Sequence, residues 1–279
     1  MILNSIASAQ PKVSVAPETL FHIGPIAVTN SQILGLIGTS ILLVLLFTAT
    51  KQIRSGKRGR FITAILFIFE NLYDTAIDVI GDKSVARKVM PLAVTLMLFF
   101  WVNNWLGILP ILGSVTYHGT AVFRGYAADM NTTFALAIIS IVTAQAWAIK
   151  KRGFFGNLHR YFSSPLKDPL HSFEGILEVV AEISRTLALS LRMFGNVFGG
   201  EVLLAVIAYL ASYAAPVALP LFYVLELFVG AVQAYVFFML TIAFIGLGLP
   251  QDDEHGIPGD ATIGTPASEV VSGSKMESA

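Results

Sequence analysis

Arg192 and Glu201 interrupt "LALSLRMFGNVFGGEVLLAVIAYL", residues 187 to 210, a stretch otherwise suited to lipid. A guanidinium keeps its proton at any relevant pH, so Arg192 cannot relay protons. It can repel other cations and hold a carboxylate ionised. A glutamate in a poorly hydrated site behaves differently, because burial disfavours its charged form and brings proton exchange towards neutrality. An ionisable group inside a membrane segment is by default a functional-site hypothesis. The alternative is a structural ion pair between the two, and helical geometry weakens it. Nine residues place Glu201 about 180° around the helix from Arg192.

The same helix carries Glu174, Glu178, Glu182 and Arg185 before the arginine. A self-paired amphipathic lead-in accounts for part of this set, with Glu178 four residues before Glu182 and Arg185 three after it. Along an ideal axis Glu178 lies about 21 Å to one side of Arg192 and Glu201 about 13 Å to the other. Arg185, Arg192, Asn196 and Gly199 fall near one face. Two proton half-pathways separated by a fixed cation can be built this way. Glu226 and Gln233 follow in the last apolar stretch, seven residues apart and so on nearly one face. No basic residue in that stretch can pair with Glu226.

Other chemistries find little support. The chain has no cysteine, and its five histidines are scattered without metal spacing. No phosphate loop of the G-x-x-x-x-G-K-[ST] type is present. No metal and no cofactor are expected. A net charge of zero gives no reason to invoke nucleic acid.

The elements that must position these residues follow from composition. Of 279 residues, 55% are hydrophobic and 13% charged. A soluble domain carries about 25% charged residues. The lipid bilayer is the environment that absorbs this excess, and the first ten residues do not resemble a secretory signal. Spans of roughly 20 apolar residues are expected near 33–50, 89–109, 130–149, 173–210 and 217–249. The segment 61–80 differs, because Glu70, Asp74 and Asp78 recur every four residues on one face. That pattern predicts an amphipathic helix at the interface or against the bundle. The expected fold is an all-α polytopic membrane protein with five transmembrane helices plus one amphipathic interfacial helix, the last two spans being long.

Lys and Arg residues number five directly after span one (Lys51, Arg54, Lys57, Arg58 and Arg60), one (Arg124) after span two, five after span three and none after span four. By the positive-inside bias, the N-terminus is expected outside and the C-terminus in the cytoplasm. Residues 1–29 read as an external segment, 30–248 as the membrane domain and 249–279 as a disordered cytoplasmic tail.

At "SLRMFGNVFGGE" the sequence resembles subunit a of the F-type ATP synthase, the membrane stator of that complex. The family's arginine, glycine-asparagine pair and following acid match Arg192, Gly195-Asn196 and Glu201. Glu178 matches an inner half-channel acid, Gln233 a glutamine opposite the arginine, and Glu226 a position that exchanges His and Glu. "AADMN" matches an acid-plus-asparagine pattern at the outer mouth, Asp129 and Asn131, and "NNWLGILP" the end of the first hairpin helix. The likeness spans roughly residues 30 to 248 and departs from the family over the last thirty.

The resemblance implies two offset half-channels separated by Arg192, so that proton flow turns a c-ring lying against the last two helices. It implies the c-ring, the subunit b peripheral stalk, lipid and protons as partners. It also implies membership of an H⁺-transporting ATPase complex without a nucleotide site on this chain. The layout favours a bacterial plasma membrane over an organellar inner membrane. Two other classes compete: a secondary transporter, expected to carry inverted repeats and paired broken helices, and a non-conducting scaffold, which does not need Arg192, Glu201 and Glu226 within the membrane.

Overall fold

In hydrocarbon every backbone N–H and C=O must be satisfied within the segment, so apolar spans become helices. A computed structural model describes residues 16–24, 26–55, 59–109, 116–117, 120–161, 169–211 and 214–249. The tail expected over 249–279 lies outside them except for Leu249, which is buried and ordered by bonds to Gly246 and Arg152. Most of the external N-terminal segment lies outside them too. The described residues form seven α-helices, two short β-hairpins and one 3-10 turn.

Strands β1 (Thr19–Ile23) and β2 (Ile26–Thr29) pair antiparallel, Thr19 opposite Thr29 and Ile23 opposite Ile26. They deliver the chain into α1 (Asn30–Arg54). Thr29 caps that helix: its hydroxyl accepts the Gln32 N–H, and the Gln32 side chain accepts the Thr29 N–H.

Helix α2 (Arg60–Ile80) is the amphipathic segment. Leu72, Ala76 and Ile80 are buried, while Glu70, Asp74 and Asp78 face outward. It ends at Gly81, whose φ of 77° suits a residue without Cβ. Asp82 then opens α3 (Lys83–Ile108) by accepting the N–H groups of Ser84 and Val85. Lys151 donates to the other Asp82 oxygen at 2.7 Å. That bond first, and the two N–H bonds after it, hold the Asp82 carboxyl below the usual carboxylate range.

A tiny hairpin, β3 (Thr116–Tyr117) with β4 (Thr120–Ala121), precedes the 3-10 turn Tyr126–Ala128. Then come α4 (Met130–Arg152), α5 (Phe154–Tyr161), α6 (Pro169–Ala211) and α7 (Ala215–Gly248). Five helices, α1, α3, α4, α6 and α7, are long and apolar enough to cross a membrane. The 43 residues of α6 extend about 65 Å at 1.5 Å each. Hydrocarbon is about 30 Å thick, so α6 tilts or continues beyond it.

Helix α7 is the central column, packed against α2, α3, α4 and α6. Phe237, Phe238, Ile242 and Ile245 are fully buried, with Phe100 of α3 and Met193 of α6 against the same core. Hydroxyl pairs fasten α4 to its neighbours: Thr133 with Ser190 of α6 at 3.1 Å, and Ser140 to Thr241 of α7 at 3.0 Å. Such interhelical bonds contribute about 0.6 kcal/mol each in membranes. Leu43, Val44 and Phe47 of α1 point outward, as side chains facing lipid do.

Candidate proton pathway

Arg192 stands on the outer face of α6, exposed, with Gly195 and Gly199 along the same face. A Cβ added at either glycine would meet nothing within 4 Å. Among the described residues Arg192 has no hydrogen bond or ion pair. Leu189, Met193 and Val197, on the other side of the helix, are buried in the core. Helical periodicity therefore leaves the cation on an open strip while its neighbours anchor α6. On α7, Phe228, Val232 and Tyr235 are exposed as well.

Glu201 lies away from that strip. The Gly125 N–H donates to its Oε1 at 3.1 Å, and the Arg124 Nε lies 3.6 Å from its Oε2. Gly125 can approach because it has no side chain; a Cβ there would run into the carboxyl. Glu226 of α7 is buried and rests against Gly200, where α6 offers no side chain in its way. Glu226 thus meets α6 at the residue next to Glu201. At the far end of the 3-10 turn Asp129, also buried, caps α4. Its Oδ1 accepts the Asn131 N–H at 3.0 Å and its Oδ2 accepts the Ser31 hydroxyl at 3.3 Å. Asn131 itself is exposed, so its main chain rather than its side chain meets Asp129.

Between this cluster and Arg192 lies a set of amides without partners. Gln233 Nε2, Asn196 Nδ2 and both polar atoms of the Asn104 side chain are buried and have no protein partner among the described residues. Asn104 sits against Gly230, which falls between Glu226 and Gln233 on α7. Buried amides need hydrogen-bond partners, and water supplies them where space permits.

Glu178 lies at the opposite end of α6, with its Oε1 3.3 Å from Arg185 Nη2. The lead-in is thus partly self-paired, but in a different register from the expected one. Arg185 goes to Glu178, and Glu182 instead accepts a bond from Gln145 of α4, whose Oε1 accepts from Asn157 of α5.

The structure therefore gathers Glu201, Glu226 and the Asp129 turn at one end, leaves Arg192 on the open face, and puts Glu178 at the other end. Sequence reasoning missed Arg124, Gln145, Asn157 and Ser31. Arg124 did carry a signal, as the lone basic residue in its loop. The other three carried none, because their role depends on which helix they meet.

Comparison with known proteins bears on the family. Residues 33–246 match the family described as ATP synthase A chain. ATP synthase subunit a of Mycobacterium bovis is 31% identical over 229 residues, covering 82% of this chain and 88% of that one. The same subunit of Moorella thermoacetica is 30% identical, covering 83% and 95%. That of Gloeobacter violaceus is 30% identical, covering 87% and 93%. A match over most of the chain, joined to five spanning helices, fixes the assignment: the chain belongs to the ATP synthase subunit a family, the proton-translocating, non-catalytic stator subunits of the F-type ATP synthase.

Proposed function

We propose that protons move through two offset half-channels separated by Arg192. They enter from outside past Asp129 and Asn131, reach Glu201 and Glu226, and neutralise a carboxylate on a c-ring lying along the open strip of α6 and α7. Asn196 and Gln233 line the passage near the arginine. A neutral carboxyl can travel through lipid, whereas an ionised one is held back by the cost of burying charge. After nearly a full turn of the ring the proton leaves through the inner half-channel past Glu178. Arg192 cannot be deprotonated and so prevents a continuous proton wire. Flow must then turn the ring.

In this reading the N-terminus is outside and the C-terminus in the cytoplasm of a bacterium whose plasma membrane holds the chain. Its partners are the c-ring and the subunit b stalk. The observation that carries the reading is Arg192 itself: a permanent cation without a partner among the described residues, on a strip lined by two glycines, between two groups of acids. Arg192→Ala should abolish coupled ATP synthesis while the complex still assembles. Arg192→Lys should fail as well, since a flexible point charge does not reproduce the planar fork. Normal synthesis rates in Arg192→Ala membranes would overturn the proposal.

A further inference from the structure

The loop before α4 brings a second guanidinium to the proposed path. Arg124 is nearly enclosed, its side chain 11% exposed. Among the described residues it reaches the N-terminal segment and α6: Nη1 donates to the Ala16 carbonyl at 2.8 Å, Nε faces Glu201 Oε2 at 3.6 Å, and the guanidinium carbon sits 6.0 Å from the centre of the Phe198 ring. Phe198 lies three residues before Glu201, so ring and carboxylate present themselves to the same planar group. The next residue, Gly125, holds the other Glu201 oxygen through its N–H. Both oxygens of one carboxylate are thus oriented by two consecutive loop residues.

We propose that Arg124 is a positioning residue for proton transfer, holding the Glu201 carboxylate in place and favouring its ionised form so that it gives up protons to the interior. The inference rests on the reading of Glu201 as a proton carrier. A cation close to a carboxylate stabilises the charged state. Among the described residues Arg124 from the loop faces Glu201 at 3.6 Å, and Glu226 from α7 reaches α6 at the neighbouring Gly200; a nearby cation favours an ionised carboxyl and a nearby carboxylate disfavours it. Arg192 is on the other side of the helix, and the Asp129 carboxyl is occupied by Ser31 and the Asn131 N–H. Arg124 is also tied to the N-terminal segment at Ala16, which couples that segment to the carboxylate.

A purely structural strap would hold the loop down without affecting proton affinity, and pH dependence separates the two. The experiment reads proton uptake against external pH in vesicles containing the whole ATP synthase, with a pH-sensitive dye inside. Without Arg124 the carboxyl keeps its proton more tightly, so the midpoint of uptake moves to higher external pH. Arg124→Gln should shift it by about one unit, the low end for loss of a neighbouring opposite charge. Arg124→Met, which keeps apolar length over Phe198, should shift it equally. Arg124→Lys should return it to within about half that displacement. In a Glu201→Gln background, Arg124→Gln should add no shift.

An unchanged midpoint in whichever of the Gln and Met variants assembles, even with reduced flux, overturns the proposal. A Lys variant displaced as far as Gln does the same for its electrostatic basis. Parent-like flux in Glu201→Gln alone would sink the carrier reading instead, so the two failures are distinguishable.

Discussion

Gly200 on α6 meets the carboxyl of Glu226 on α7 so closely that a Cβ at position 200 would occupy the same space. The obstructed atoms are the far end of a flexible side chain, so Gly200→Ala moves the carboxyl rather than unfolding the helix pair. Assembly should be preserved while proton flux through the complex falls severalfold. Gly107→Ala should behave in the opposite way. Its Cβ would come 2.9 Å from the Gly125 backbone, which cannot swing aside. Overpacking of that kind costs about 1–3 kcal/mol. Lower thermal stability of the Gly107 variant, with the Gly200 variant unchanged, is the expected measurement.

Glu201 and Glu226 should titrate as a pair if they share one cavity, with apparent values belonging to neither alone. Glu201→Gln or Glu226→Gln should each shift the pH profile of flux without necessarily stopping it. The double variant should lose nearly all flux through that half of the path. Glu226→His should be tolerated better than Glu226→Leu, because it keeps a titratable, hydratable group. A double variant that conducts like the parent would redirect attention to Asp129.

Orientation is testable by labelling. A cysteine at Ser55, after the basic end of α1, should react with a membrane-impermeant reagent from the cytoplasmic side only. One at Thr120, in the loop that carries Arg124 as its lone basic residue, should react from outside only. Reaction of both from the same side would mean that α2 crosses the membrane.

Asp82 links the start of α3 to the end of α4. Its carboxyl is held below the usual range, so the stability it contributes is present above the unfolded-state value of about 4 and is lost as pH falls through the lower folded-state one. Asp82→Ala removes the helix cap and should cost about 1 kcal/mol, or roughly fivefold faster amide exchange in the first turn of α3 at neutral pH. Asp82→Asn keeps the cap and loses only the exposed pair with Lys151, so its effect should be under half as large. Equal exchange in the two variants would show that the cap carries no stability here.

Much of this molecule is legible along a single helix. The five spans, the acid face at Glu70, Asp74 and Asp78, and the opposite facing of Arg192 and Glu201 all follow from local periodicity. A helix in lipid satisfies its backbone within itself, so its length and the direction of its side chains are set by nearby residues alone. What meets each side chain is decided elsewhere. Glu201 takes its N–H partner from Gly125, 76 residues earlier, and Gln145 meets Glu182 across 37 residues. Arg185 pairs with Glu178, seven residues back, while Glu182 accepts a bond from Gln145. Such pairings depend on how closely helices approach, which glycines such as Gly200, Gly125 and Gly107 permit at particular places. Periodicity assigns a face, and only packing assigns the neighbour that fills it.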